Sequence, residues 1–558
     1  MNINMNASEF IVDYLIRLGV TDVFGIPGGV LLDLIYAFDD KKDTITPHLC
    51  YHEQSAGFAA SGYAQACGKL GVAYATRGPG FTNMITAIAD AYCDSTPVLF
   101  ITAHSSKFLN RNMRVMYDQE IDTCSMVRNI TKFSARIDDV NDIPSILNKA
   151  CIIALDGRRG PVFLDFASDI FSKSITLNNI DKIPEKASIF DIKKMVYDVK
   201  NEIKEAKRPI ILVGDGVNQV NLIDKFKLFI NMAKIPVLSS RSSLNIVGDS
   251  NFYFGYVGSH GIRTANFIMS KADLVVAIGN RVDFPVHSES YFDITQKTKF
   301  LRFDIDPSEF ERQIPNSTNY QLDIRDLLEE LSENIFDYGN HSNWLSLCED
   351  LKDNLKNEDI NLAVERIADI LKNIPEETTI VSDVGNNEFW LSRACILSRT
   401  RKRVLFSKSF GAMGCALGKS IGAYYATRKP LVCFTGDQGL LMDSQEFQTI
   451  SQNNLPISVV LLNNKSSGMI RDREKYKFGT RYLHTTKDTG YGIPNFQKII
   501  EGYGIIVSDY FDLSDKPLFH QILIDEDLSL TPRLPKGKPC QDLFPDLDRE
   551  RYEYLNNL

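Results

Sequence analysis

Short apolar runs that end at Gly, Asp or Asn recur along this chain, and they constrain its fold more than any other feature. "RPIILVGDGV", "ADLVVAIGNRVD", "TTIVSDVGNNEFW", "KPLVCFTGDQG" and "ISVVLLNNKSSGM" all have this form. Continuous hydrophobicity over so few residues suits strands buried on both faces, as in parallel sheets covered by helices. "GVAYAT", "TPVLFITA" and "GRRGPVFLDF" extend the pattern toward the N-terminus, between helical segments. The expected fold class is α/β, with three doubly wound parallel-sheet domains. They span residues 1–175, 190–335 and 355–530, and a Pro-rich tail, 531–558, is expected to pack as an arm over another block. "SKSITLNNIDKIPEKAS" reads as a linker and "NWLSLCEDLKDNLKNED" as a charged helical connector. The first helix, "SEFIVDYLIRLG", has Ser8 placed to cap it.

Composition excludes several function classes. The 558 residues are 44% apolar and 24% charged, as in soluble globular proteins, and suffice to bury a large cofactor. A net charge of -9 gives a nucleic-acid surface no support. The basic run "RTRKR" (Arg399 to Arg403) is short enough to be a solvated helix end or turn. Ten cysteines include no C-x-x-C pair and no zinc-ligand spacing, so they read as buried apolar residues in a reducing compartment. No signal-peptide pattern opens the chain, and no apolar stretch approaches the roughly 18 residues that span a bilayer. The expected location is the cytoplasm, without a membrane partner.

"GAMGCALGKS" (Gly411 to Ser420) ends like a nucleotide-binding phosphate loop. That motif requires a Gly where Met413 stands, which argues against a nucleotide hydrolase. A different pair is more informative. Asp437 follows one strand and Asn464 the next, 27 positions later. A strand-helix-strand unit has about that length, so both side chains can meet at one sheet edge. A carboxylate beside an amide oxygen suits Mg²⁺, which also takes phosphate oxygens and water. The pair therefore asks for a phosphate-bearing ligand.

With these residues in view, the chain resembles the thiamine-diphosphate enzymes, closest to their acetolactate synthase-like branch. The third block resembles the diphosphate-binding domain. The first resembles the pyrimidine-binding domain in "GIPGG", "YHEQSAGFAASGYA", "RGPGFTN" and "ADAYCDSTPV". The resemblance implies thiamine diphosphate with Mg²⁺ held by Asp437, Asn464 and the Ser466 carbonyl. It places Gly385, Asn386 and Asn387 at the diphosphate and Gly411 and Met413 at the aminopyrimidine, with Gly436, Gln438 and Met469 among the other cofactor-binding residues. Met413 would be the wedge that bends the cofactor, and Lys419 would belong to the following helix.

Glu53 matches the carboxyl group that bonds the pyrimidine nitrogen N1' and favours the imino tautomer needed for C2 deprotonation. Gln119, Gly29 and Val30 match residues beside the reacting carbon. The implied reaction decarboxylates a 2-keto acid, pyruvate first, and joins the two-carbon unit to a carbonyl acceptor. The implied assembly is a homodimer or homotetramer, with Glu53 and the metal site supplied by different subunits.

Two positions depart from acetolactate synthases. Asp118 stands where they carry Phe, and Arg473 where they carry an acceptor-pocket Trp. Arg suits bidentate contact with phosphate or carboxylate, so the expected acceptor is polar or phosphorylated, such as a nucleotide-linked keto-sugar. Arg473 as an exposed helix residue is the plain alternative. The middle block resembles the family's central domain, which holds FAD in some members. Gly214, His260, Arg281 and Asp304 are candidate FAD contacts, although Pro285 replaces a second Arg of the flavin pattern. Rival readings are acetolactate synthase proper, a simple 2-keto acid decarboxylase, and a non-catalytic binding protein of the same fold.

Overall fold

The apolar runs pair side by side into three six-stranded parallel sheets. The computed structural model describes residues 5–105, 113, 114, 116–175, 191–283, 289–334 and 336–558. The first sheet comprises β1 (Asp22–Gly25), β2 (Thr46–Leu49), β3 (Gly71–Tyr74), β4 (Val98–His104), β5 (Phe133–Ile137) and β6 (Val162–Ala167), ordered β2-β1-β3-β4-β6-β5. The second comprises β7 (Pro209–Val213), β8 (Val237–Ser239), β9 (Tyr253–Tyr256), β10 (Leu274–Ile278), β11 (Lys299–Asp304) and β12 (Ser317–Gln321), ordered β12-β11-β10-β7-β8-β9. The third comprises β13 (Ile380–Ser382), β14 (Val404–Leu405), β15 (Leu431–Gly436), β16 (Ile457–Asn463), β17 (Ile506–Ser508) and β18 (Leu518–Leu523), ordered β14-β13-β15-β16-β18-β17. In each sheet the strand order reverses partway, which opens a crevice beyond the carboxyl ends of the strands.

The chain divides into two compact units. One contains Met1–Glu185, Thr378–Glu388 and Leu405–Glu526, and holds the first and third sheets. The other contains Lys186–Glu377, Phe389–Val404 and Asp527–Leu558, and holds the second sheet. Within the first unit, the helices Glu53–Cys67 and Ala416–Thr427 cross at backbone contact. A Cβ on Gly422 would lie 1.8 Å from the Ala59 carbonyl oxygen, and one on Gly62 would lie 2.1 Å from that of Lys419. Only glycine allows this approach. The crossing joins the two sheets through a shared core that includes Phe58, Phe81, Phe100, Phe447 and Phe519.

Several local expectations need correction. The first helix is capped by Asn6, whose side chain accepts the Glu9 N–H while Glu9 accepts that of Asn6. Glu three positions after Asn6 completes this reciprocal box, and Ser8 lies buried inside the helix. The charged connector is the helix Ser342–Leu355, and it belongs to the second unit's core through Trp344, Cys348, Leu351 and Leu355. Its apolar stripe outweighs its charge count. The basic run is a turn after a helix, with Arg399 in a left-handed conformation, but Lys402 is buried and bonds Glu376 Oε2 at 2.9 Å.

None of the ten cysteines forms a disulfide; Cys67, Cys93 and Cys124 are half-buried and the others buried. Most of the expected linker, and Pro285, lie outside the described residues. The tail places Leu547, Tyr552 and Leu555 in the second unit's core, where Arg263 donates to the Leu543 and Pro545 carbonyls at 2.8 and 2.6 Å. Among the described residues, no helix is long and apolar enough to cross a membrane.

Candidate active site

β15 and β16 are parallel neighbours, with Gly436 opposite Leu462. Asp437 and Asn464 therefore leave adjacent strand ends, as their spacing predicts. Asp437 is buried, and its Oδ1 accepts the Tyr491 hydroxyl and the Gln438 N–H, each at 2.8 Å. The backbone amides of Lys465 and Ser466 also face this carboxylate, yet Oδ2 lacks a full hydrogen-bond partner. Burial pushes the Asp437 carboxyl above its usual range, opposed by Tyr491 and the backbone amides.

Asn386, which opens the helix Asn386–Leu397 after β13, joins this edge. A Cβ on Gly468 would meet Asn464 Nδ2 at 2.5 Å and Asn386 Nδ2 at 2.8 Å, so both amides converge on that glycine. Asn386 is buried with both Nδ2 and Oδ1 unpartnered. Native interiors satisfy nearly all buried polar atoms, and a bound ion, water or ligand is one explanation of the exceptions. A hard cation that takes carboxylate and amide oxygens, with phosphate oxygens that accept amide N–H groups, fits this set.

The other expected residues of this half surround it. Asn387 donates from Nδ2 to the Asp383 carbonyl at 2.8 Å, and Gly385 has φ 121°. Gln438 accepts the Ser467 hydroxyl at 3.0 Å. Ser466 offers its carbonyl, which also accepts the Gly468 N–H at 2.8 Å. Gly411 is exposed, and Met413 and Met469 are half-buried rather than core methionines. Lys419 is fully buried and lies 2.9 Å from Asp90 Oδ2. Arg473 is exposed on the helix Gly468–Phe478.

The first sheet supplies a second cluster. Glu53 opens the helix Glu53–Cys67, and its Oε2 accepts Asn83 Nδ2 at 2.9 Å. A Cβ on Gly80 would lie 3.2 Å from Glu53 Oε1, so "RGPGFTN" wraps the carboxylate. Gly78, at φ 59°, lets that loop approach the Gln119 carbonyl, where a Cβ would stand at 2.2 Å. Gln119 itself has φ 56°, a conformation that non-glycine residues rarely adopt and one often held at working sites. Gly29 and Val30 follow β1 in a short 3-10 turn. Asp118 is 82% exposed, with Arg77 at 4.0 Å.

Sequence reasoning missed the supports. Asn83 lay within a quoted motif, but its role depends on a helix meeting it in space. Tyr491 is in no motif. Glu446 accepts the Tyr51 and His52 N–H groups at 2.9 and 3.0 Å, which pins the turn immediately before Glu53. Burial pushes Glu446 up to about 7. Asp443 accepts the Ser55 hydroxyl and the Gly418 N–H, and burial together with the Glu446 charge raises it well above the usual carboxylate range.

In the second unit, Gly214, Arg281 and Asp304 lie at the ends of β7, β10 and β11, and His260 follows β9. Arg281 lies 3.3 Å from Asp283, and Asp304 Oδ1 accepts the Asp306 N–H at 3.0 Å. The His260 ring lies 4.7 Å from that of Phe389. Among these four residues no buried side-chain atom lacks a partner.

A strand edge of buried carboxylate and amide groups on one sheet and a carboxylate-bearing helix start on another, within one unit, suit a cofactor-dependent enzyme. Residues 5–126 match the thiamine pyrophosphate enzyme N-terminal TPP binding domain, 196–331 its central domain and 383–517 its C-terminal TPP binding domain. The chain belongs to the thiamine pyrophosphate enzyme family. Within it, the chain is acetolactate synthase-like. It is 30% identical over 564 residues to the acetolactate synthase isozyme 2 large subunit of Escherichia coli (strain K12), covering 97% of this chain and 100% of that relative. It is also 30% identical over 569 residues to the acetolactate synthase large subunit of Lactococcus lactis subsp. lactis (strain IL1403), covering 97% and 96%. The large subunit of Porphyra purpurea is 30% identical over 515 residues, covering 89% and 86%.

Proposed function

We propose that this enzyme decarboxylates a 2-keto acid, pyruvate in the first instance, and joins the two-carbon unit to a carbonyl acceptor. The observation that carries the reading is the set of unpartnered buried atoms, Asp437 Oδ2 and both amide atoms of Asn386, at one strand edge. Asp437, Asn464 and the Ser466 carbonyl would hold Mg²⁺, with Gly385, Asn386, Asn387, Gly436 and Gln438 around the diphosphate. Gly411, Met413 and Met469 would border the aminopyrimidine. When bound, thiamine diphosphate supplies a thiazolium that takes up the electron pair released by decarboxylation. Glu53 would hold a proton at the pyrimidine nitrogen N1', and Asn83 fixes the direction of its carboxyl group. Gln119, Gly29 and Val30 would border the reacting carbon and exclude water from it. In the assembly this reading requires, Glu53 and the metal site of one centre come from two copies of the chain. A cytoplasmic location agrees with ten cysteines that form no disulfide.

The acceptor is the open choice. The relatives' names favour a second keto acid, giving acetolactate. Arg473, exposed where an aromatic wall is expected, favours a polar or phosphorylated carbonyl compound, a nucleotide-linked keto-sugar among them. The deciding experiment supplies purified protein with pyruvate, thiamine diphosphate and Mg²⁺ and identifies products by mass spectrometry. The Arg473 reading expects slow acetolactate formation, accelerated turnover with a phosphorylated acceptor, and reversal of that preference in Arg473→Trp. Rapid acetolactate formation without another acceptor overturns it in favour of acetolactate synthase proper. FAD is not required by this reading, and a flavin band in the purified protein's absorbance would add it.

A further inference from the structure

Lys419 occupies an unusual setting for a lysine. Its side chain and that of Asp90 are both 0% exposed, and its Nζ also donates to the Phe406 carbonyl at 3.0 Å. Burial works against its charge, but Asp90 and, beyond it, Asp94 hold the ammonium protonated above the usual lysine range. Asp90 accepts the Ser407 hydroxyl, and Ser407 Oγ accepts the Ala412 N–H at 2.9 Å. Asp94, which caps the same helix, Pro79–Cys93, accepts the N–H groups of Lys408 and Ser409 at 2.7 and 2.9 Å. Gly414, just beyond, donates its N–H to Asp383 Oδ1 at 3.0 Å. The segment from Phe406 to Gly414 is thus tied at five residues to buried charged side chains, and at Ala412 to the Ser407 hydroxyl. It carries Gly411 and Met413, whose own positions have no such ties.

A buried ion pair of this kind gives little net stability, since well-packed apolar residues of similar volume often serve as well. What it fixes is geometry. We propose that Lys419 and Asp90 are positioning residues that clamp the 406–413 segment, so that Gly411 and Met413 meet the aminopyrimidine as a preset edge. This deepens the proposed function and rests on it. The Gly-Lys-Ser that suggests a phosphate loop is, in this account, the anchor of a pyrimidine loop. "ADAYCDSTP" supplies its two carboxylates.

The test is the Asp90→Asn/Lys419→Met double variant, which removes both buried charges together. Calorimetric titration would measure two ligands in the presence of Mg²⁺: thiamine diphosphate, which reaches both ends of the site, and inorganic pyrophosphate, which reaches only the metal end. The clamp predicts a thiamine diphosphate Kd raised about tenfold and a pyrophosphate Kd within about twofold of wild type. Equal Kd values for thiamine diphosphate in the folded variant and wild type, or parallel weakening of both ligands, would overturn it. Ser407→Ala keeps the ion pair and removes only the bonds to Asp90 and Ala412. It should weaken thiamine diphosphate alone, by about threefold, and keeps the test open if the double variant fails to fold. Wild-type protein that binds pyrophosphate but not thiamine diphosphate would remove the reading on which the clamp rests.

Discussion

The strand ends of the second and third sheets follow the same plan and reach different results. Both sheets are parallel, six-stranded, and end their central strands in Gly with Asp or Asn. At the second sheet, Asn280 bonds the Val213 carbonyl at 3.2 Å and the Val282 N–H at 2.9 Å, and Arg302 donates to the Glu309 and Arg312 carbonyls at 2.6 and 3.0 Å. Those turns bond mostly within themselves, although Arg302 Nε is buried without a partner. At the third sheet, Asp437 and Asn386 leave buried donor and acceptor atoms over. An unsatisfied buried polar group costs about 1–3 kcal/mol, and at the third sheet three such atoms, on Asp437 and Asn386, share one strand edge. A Gly turn after a buried strand is a structural device first, and it becomes a binding site only where its polar groups are left without internal partners.

Three substitutions break or sharpen that comparison. Asp437→Ala has the largest expected effect. Without its carboxylate the proposed metal end loses the anion that would hold Mg²⁺, and thiamine diphosphate affinity in Mg²⁺ should fall by about 100-fold or more in a calorimetric titration. Retained affinity would mean that the cofactor sits elsewhere. Asn386→Ala comes next, with two linked results. Cofactor affinity should fall about tenfold, while the cofactor-free protein should gain up to about 1 kcal/mol in thermal melting, because two unpartnered buried atoms are gone. A loss of stability without cofactor would show that Asn386 is satisfied internally. Arg281→Ala should do least. Its guanidinium partner is Asp283 in the second unit, so thiamine diphosphate affinity should stay within about twofold of wild type. A tenfold loss there would make the second sheet's strand ends part of the site.

Local pattern made the sheets legible. A strand buried on both faces must be apolar throughout, so β7, β10, β15 and β16 stood out in the sequence. Asp437 and Asn464 were legible because a strand-helix-strand unit fixes how far apart two neighbouring strand ends fall. Pairings between distant segments were not. Nothing near Lys419 announces Asp90, and nothing near Tyr491 announces Asp437; each pair exists only once separate elements pack. The Ser8 cap failed for a smaller reason: Asn6 with Glu9 forms a reciprocal box, and that satisfies two backbone groups where Ser8 would satisfy one. Lys402 failed because a charge run says nothing about which of its members turns inward toward Glu376.

The most direct test of the central claim is a titration of wild-type protein with thiamine diphosphate, in Mg²⁺ and again with the metal chelated. The account predicts saturable binding in Mg²⁺ at one cofactor per chain, weakened at least about tenfold without the metal. Affinity indifferent to the metal, or no binding at all, would contradict the assignment of Asp437, Asn464 and Asn386.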